Sequence, residues 1–178
     1  MKSSRVTLRS PAEIAQAREA GRLAARVLHM ITPHVQPGVS TEALDRLCHD
    51  YIVNELQVTP ANVGYLGYPK TVCTSVNHVI CHGIPSPGQV LKAGDIINID
   101  VAIIKDGWFG DTSRMYFVGE PSPLARRLVD TTYEAMCAGI AQVRPGATLG
   151  DVGHAIQTVA HRERFSVVRE YCCLLYTS

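Results

Sequence analysis

A mixed α/β fold of the α+β kind, in which helices cover an antiparallel sheet, is what this sequence predicts, and three observations carry the prediction. Residues 96–104 and 108–118 are two β-branched and aromatic runs joined through Asp106-Gly107, a dipeptide favoured in two-residue type I′ turns because both central residues need positive φ. Amphipathic helical periodicity flanks these runs on both sides. A short motif, Val35-x-Pro37-Gly38-x-Ser40, returns 108 residues later as Val143-x-Pro145-Gly146-x-Thr148, each copy lying between two helical stretches. The chain therefore reads as a duplicated helix, turn, helix, sheet unit whose second half-sheet is missing.

Taken in order, Ser10-Pro11-Ala12-Glu13 combines an N-cap, a first-turn proline and a capping-box glutamate, so a helix starts there. Ile14, Ala17, Ala20, Leu23, Val27, Met30 and Ile31 recur mostly at three- and four-residue steps, with Arg18, Arg22 and Arg26 on another face, and the helix is expected to end near Thr32-Pro33. Ser40 or Thr41 caps a second helix, with Glu42 and Asp45 near its positive end and Leu44, Leu47, Cys48, Tyr51 and Ile52 as its buried stripe. Residues 58–69, rich in Gly, Pro and Tyr, form a loop that either walls a pocket or is simply ordered. Residues 71–76 alternate like a strand, Asn77-His78 marks a turn, and Val79-Ile80-Cys81-His82 is expected to return as another strand. Pro121-Ser122-Pro123 opens a third helix with Leu124, Leu128, Val129, Ala135, Met136 and Ile140 on its apolar side, and Thr148 caps a fourth that runs to about residue 160.

Composition narrows the function classes. The 178 residues are 46% hydrophobic and 19% charged, ordinary for one globular domain with a substantial core. With 17 basic and 16 acidic residues there is no global field to draw nucleic acid or a membrane surface as partner. The six cysteines, Cys48, Cys73, Cys81, Cys137, Cys172 and Cys173, are irregularly spaced and form no CxxC pair, which argues for reduced thiols in a cytoplasmic protein rather than a zinc finger or disulfide framework. Residues 1–9 read as an N-terminal extension without the apolar run of a signal peptide, and no window is apolar enough to span a membrane.

The hairpin also carries the chemistry. With Asp106 and Gly107 as the loop, Lys105 lies opposite Trp108, Ala102 opposite Asp111 and Asp100 opposite Ser113. Side chains alternate with period two, so Asp100 and Asp111 project from one face as diagonal neighbours about 7–8 Å apart at Cα. Asn98 shares that face, whereas Ile97, Ile99, Val101 and Ile103 cover the other. An ionised Asp in such an apolar run is costly, and two converging carboxylates repel. A cation answers both problems, and carboxylates holding two divalent metals about 3.5–4 Å apart are the ligands of two-metal hydrolases. The alternative pairs one Asp with a Lys or Arg and leaves the other to cap the turn; a three-residue loop would flip the parity.

Five motifs, Gly64-Tyr65-Leu66-Gly67-Tyr68-Pro69-Lys70, Cys81-His82-Gly83-Ile84-Pro85, Asn98-Ile99-Asp100-Val101, Gly110-Asp111-Thr112-Ser113 and Phe165-Ser166-Val167-Val168-Arg169-Glu170-Tyr171-Cys172, together resemble the type I methionine aminopeptidases of bacteria. The resemblance covers residues 10–172 and implies a pita-bread fold with internal pseudo-two-fold symmetry. It further implies a cytoplasmic monomer that removes the initiator methionine from nascent polypeptides with a small second residue, ribosome contact being left open. By motif match Asp100 and Asp111 are two of five ligands to a pair of divalent metal ions, in agreement with the parity of the strands. The metal remains open among Co, Mn, Fe, Zn and Ni. His82 matches a histidine that hydrogen-bonds the scissile amide region of the substrate, Tyr65, Tyr68 and Cys73 match the lining of a methionine side-chain pocket, and Asn77 and Val79 match backbone positions that bind a monovalent cation.

The chain also departs from the family. Where the family continues from Cys172 with Gly-His and later supplies two glutamates, this chain reads Cys173-Leu174 and stops at Ser178, so three of the five metal ligands are lacking. Residues 173–178 are expected to be an artefactual tail on a truncated reading frame, residues 10–172 an incomplete single peptidase domain, and the 178-residue chain inactive and poorly soluble. The rival readings are a pita-bread peptidase cutting before proline, disfavoured by the short N-terminus, and a catalytically dead peptide-binding module, disfavoured by retention of both Asp100 and Asp111.

Overall fold

The structure, a computed structural model, describes residues 7–169. The expectations for residues 170–178, including Leu174 in the place of a metal-binding histidine, lie outside the described residues. Contacts divide the chain into two compact units, one spanning Thr7–Pro121 and one from Ser122 onward.

In the first unit, α1 (Pro11–Ile31) starts with the expected capping box: Glu13 N–H donates to the Ser10 hydroxyl, and the Glu13 carboxylate accepts from Ser10 N–H. A 3-10 turn, Thr32–His34, follows. Ser40, rather than Thr41, caps α2 (Thr41–Asp50), which runs on into a wider π-helical turn, Tyr51–Glu55, that periodicity alone did not signal. Leu44, Cys48 and Ile52 are fully buried, whereas Leu47 is exposed. Strand β1 (Thr59–Pro60) is a two-residue piece within the expected loop; β2 (Val72–Val76), β3 (Ile96–Lys105) and β4 (Trp108–Phe117) complete an antiparallel sheet. β3 is its centre, pairing with β1 and β2 on one side and with β4 on the other.

The hairpin register is the one that Asp106-Gly107 demands. Lys105 faces Trp108, Ala102 faces Asp111 and Asp100 faces Ser113, with φ of 50° at Asp106 and 83° at Gly107. Ile97, Ile99, Val101 and Ile103 are fully buried on the face covered by α1, whose Ala20, Leu23, Ala24, Val27, Leu28 and Ile31 join the same core. The Tyr116 hydroxyl donates to Leu28 O of α1 at 2.7 Å, tying helix to sheet. The opposite face is left for Asn98, Asp100, Asp111 and Ser113.

Residues 79–82 do not form the strand that their composition suggested. Asn77 and His82 both adopt positive φ, 53° and 56°, which breaks the pleat at either end, and the prolines at 85 and 87 follow at once. This loop instead folds back over β2, with Val79 N–H donating to Val76 O at 3.1 Å and Thr74 N–H donating to Gly83 O at 2.8 Å.

In the second unit, α3 (Pro123–Ile140) is capped by Ser122 and α4 (Leu149–Arg162) by a second capping box between Thr148 and Asp151. The two helices pack on each other, with Gly139 against Ile156. The expected apolar side of α3 is only partly covered: Ala135 is buried, but Leu124, Met136 and Ile140 are exposed. A half-open groove of about 440 Å³ runs along it.

Candidate metal centre

β3 and β4 bring Asp100 and Asp111 to one face, and β2 adds Cys73 directly opposite Asp100. Burial, and then the neighbouring Asp111, push the Asp100 carboxyl up to about 6, while nearby His82 works the other way. Burial raises Asp111 as well, and the hydrogen bond that it accepts from Asp100 opposes that rise. Both carboxyls are thus harder to ionise than an exposed aspartate. Cys73 is raised by its own burial, and Tyr68, Asp100, Cys81 and Asp111 are all close enough to act on it.

Two elements fix Asp111. Its strand is paired along its whole length with β3, and the preceding Gly110 lies against the α1 backbone so closely that a Cβ there would sit 2.1 Å from Ala20 O. β2 is fixed by α2: the buried Asp45 carboxylate accepts from Thr71 N–H at 2.8 Å and Val72 N–H at 3.0 Å.

Of the residues singled out in the sequence, Asp100, Asp111, Cys73, Tyr68 and His82 come together. Tyr68 is half-buried, and its hydroxyl lies 3.0 Å from Val72 O and 3.1 Å from Gly83 O. Tyr65 stands apart, 69% exposed on a 3-10 turn, Tyr65–Gly67. Asn77 and Val79 lie beyond the end of β2, with Asn77 four residues from Cys73, about 13 Å at strand spacing. The Asn77 side chain is engaged by Asp95 and Ile96 N–H. Sequence reasoning missed the part played by Asp45, Gly83 and Gly110. A glycine inside a strand run was a usable signal for Gly110; Asp45 had none, since its partners are main-chain groups 26 and 27 residues away.

The donor set fits a divalent cation in kind. Two partly buried carboxylates converge, and none of the ion pairs among the described residues involves either. In number it is short: among the described residues no group of three or more His, Cys, Asp or Glu is placed to hold a metal.

Two converging carboxylates on the open face of an antiparallel sheet backed by helices suit the class that the sequence pattern defines: the chain belongs to metallopeptidase family M24, whose pattern matches residues 15–174. Within that family its relatives are methionine aminopeptidases. It is 53% identical over 167 residues to the methionine aminopeptidase of Escherichia coli (strain K12), a match covering 94% of this chain and 63% of that protein. The crystal structure of the Rickettsia prowazekii methionine aminopeptidase superposes with a TM-score of 0.91 at 50% identity, covering 94% of this chain and 66% of that one. That of the Thermotoga maritima enzyme gives 0.89 at 35% identity, with 94% and 67% covered. The fold is therefore the pita-bread fold of these enzymes. The chain spans 63% of the length of the curated relatives it matches.

Proposed function

We propose that this chain carries two of the metal ligands of a dinuclear metallopeptidase of the cytoplasm that removes the initiator methionine from nascent polypeptides. The observation that carries this reading is the convergence of Asp100 and Asp111 on the face opposite the core, in a chain 53% identical to a methionine aminopeptidase. Asp100 and Asp111 would hold the metals. A bound pair of divalent ions, drawn from Co, Mn, Fe, Zn or Ni, supplies Lewis acidity and lowers the pKa of water toward neutrality.

The chain's own residues do the rest. His82, on the loop that folds over β2, is near enough to Asp100 to act on its carboxyl, and there it would donate to the amide region of the scissile bond. Tyr68 and Cys73, with Tyr65 closing over from its exposed turn, would line an apolar slot for an unbranched thioether side chain. Asn77 and Val79 would offer main-chain oxygens to a monovalent cation. The substrates are polypeptide N-termini with a small second residue, and the ribosome that delivers them is a further candidate partner of a monomeric enzyme.

The test is release of methionine from the peptide Met-Ala-Ser. A chimaera joining this chain to the unmatched C-terminal part of the E. coli relative is expected to release it in the presence of Mn or Co. Chelation abolishes the activity, and Asp111→Asn lowers it at least about tenfold. The 178-residue chain alone is expected to be inactive. A folded, metal-loaded chimaera that leaves Met-Ala-Ser intact contradicts the reading.

A further inference from the structure

His82 is exposed and sits in a left-handed conformation, φ 56°, that a residue with a Cβ rarely adopts unless its surroundings hold it there. What holds it is the next residue. The Gly83 amide donates to the Ser75 hydroxyl at 3.2 Å; its carbonyl accepts from Thr74 N–H at 2.8 Å and lies 3.1 Å from the Tyr68 hydroxyl. The remaining face of Gly83 is pressed on β2 so closely that a Cβ would fall 2.1 Å from Thr74 O. Both main-chain polar groups and the bare α-carbon are therefore all engaged. Downstream, Ser86 is pinned to the start of α2: its amide donates to the Thr41 hydroxyl, and its carbonyl accepts from that hydroxyl.

We propose that Tyr68 and Ser75 are positioning residues for His82, acting through the main chain of Gly83. Ser75 is 4% exposed on β2, on the same face as Cys73, and its hydroxyl accepts from the loop instead of meeting water. Tyr68 stitches together the two loops that border the carboxylate pair, since its one proton is shared between Val72 O at the start of β2 and Gly83 O on the His82 loop. Its ring lines the slot while its hydroxyl aims the histidine. This inference rests on the reading of His82 as a substrate-facing group and adds what fixes its direction.

The test uses the full chain, ¹⁵N-labelled, with Tyr68→Phe, Ser75→Ala and the double variant. In the wild type, His82 is expected to give one imidazole signal displaced from that of free histidine. In the double variant that signal moves toward the free-histidine position, and exchange of the Thr74 amide hydrogen speeds up about tenfold, the effect of losing one hydrogen bond's worth of protection. The imidazoles of His29 and His34, remote from the clamp, stay where they were and report that the fold is intact. An unmoved His82 signal in the double variant overturns the proposal, as does an equal movement at His29 and His34, which would mean general loosening. Titration of the metal-loaded chimaera with Met-Ala-Ser separates the two claims. Failure of the peptide to shift His82 removes the substrate role of that histidine, while the clamp stands or falls on the variants alone.

Discussion

Burial and a neighbouring carboxylate make Asp100 costly to ionise, and that cost is visible in the pH dependence of folding. Its folded pKa, about 6, lies above the ordinary aspartate value of 3.8. Its contribution to stability is therefore fully present below about pH 4 and is lost as the pH rises through 6. Partial solvent access reduces the penalty at neutral pH to about 1–2 kcal/mol. Asp100→Asn is expected to unfold at higher urea concentration than wild type at pH 7.5 and at the same concentration at pH 4, and Mn²⁺ should recover the difference in wild type; an identical pH profile for the two proteins contradicts this. Asp45 has a structural part instead. Its carboxylate is a structural acceptor, and Asp45→Ala leaves the Thr71 and Val72 amides without their partner, at a cost of roughly 2–4 kcal/mol measurable by urea unfolding. The sequence marked Asp45 only as an acid near a helix N-terminus, because what it binds is backbone brought close by folding.

At the scale of elements, the hairpin could be read residue by residue. Asp106-Gly107 sets the turn, the turn sets the register, and the register places Asp100 and Asp111 on one face. Residues 79–82 could not be read in this way: their composition suits a strand, and it is the left-handed backbone at Asn77 and His82 that excludes one. The two-residue β1 and the π-helical turn after α2 likewise answer to tertiary packing rather than to local periodicity. Gly110 joins two elements, since only a bare α-carbon lets β4 settle on α1. Gly110→Ala is expected to cost about 2–3 kcal/mol in thermal or urea unfolding and to weaken metal binding, because the strand must lift beside Asp111. Gly107→Ala, strained in the turn but with nothing near its Cβ, should destabilise the fold and leave metal affinity intact.

At the scale of the whole molecule, the repeat seen in the Pro-Gly motifs extends into packing. Adding 108 to the α1 residues that meet the sheet, Ala20, Leu23, Ala24, Val27, Leu28 and Ile31, gives Leu128, Thr131, Thr132, Ala135, Met136 and Gly139, and all six line the α3–α4 groove. The second copy thus presents the surface that in the first copy carries β3 and β4. Met136→Glu is expected to reduce binding of an apolar dye such as ANS and to leave the melting of the Thr7–Pro121 unit unchanged; undiminished dye binding would place the exposed apolar surface elsewhere. The central claim is that Asp100 and Asp111 act jointly on a cation. The most direct measurement is Mn²⁺ binding to the 178-residue chain by electron paramagnetic resonance, compared with Asp100→Asn and Asp111→Asn. Weak binding in wild type that falls at least about tenfold in each variant is the predicted result; no binding by wild type, or binding indifferent to both substitutions, contradicts it.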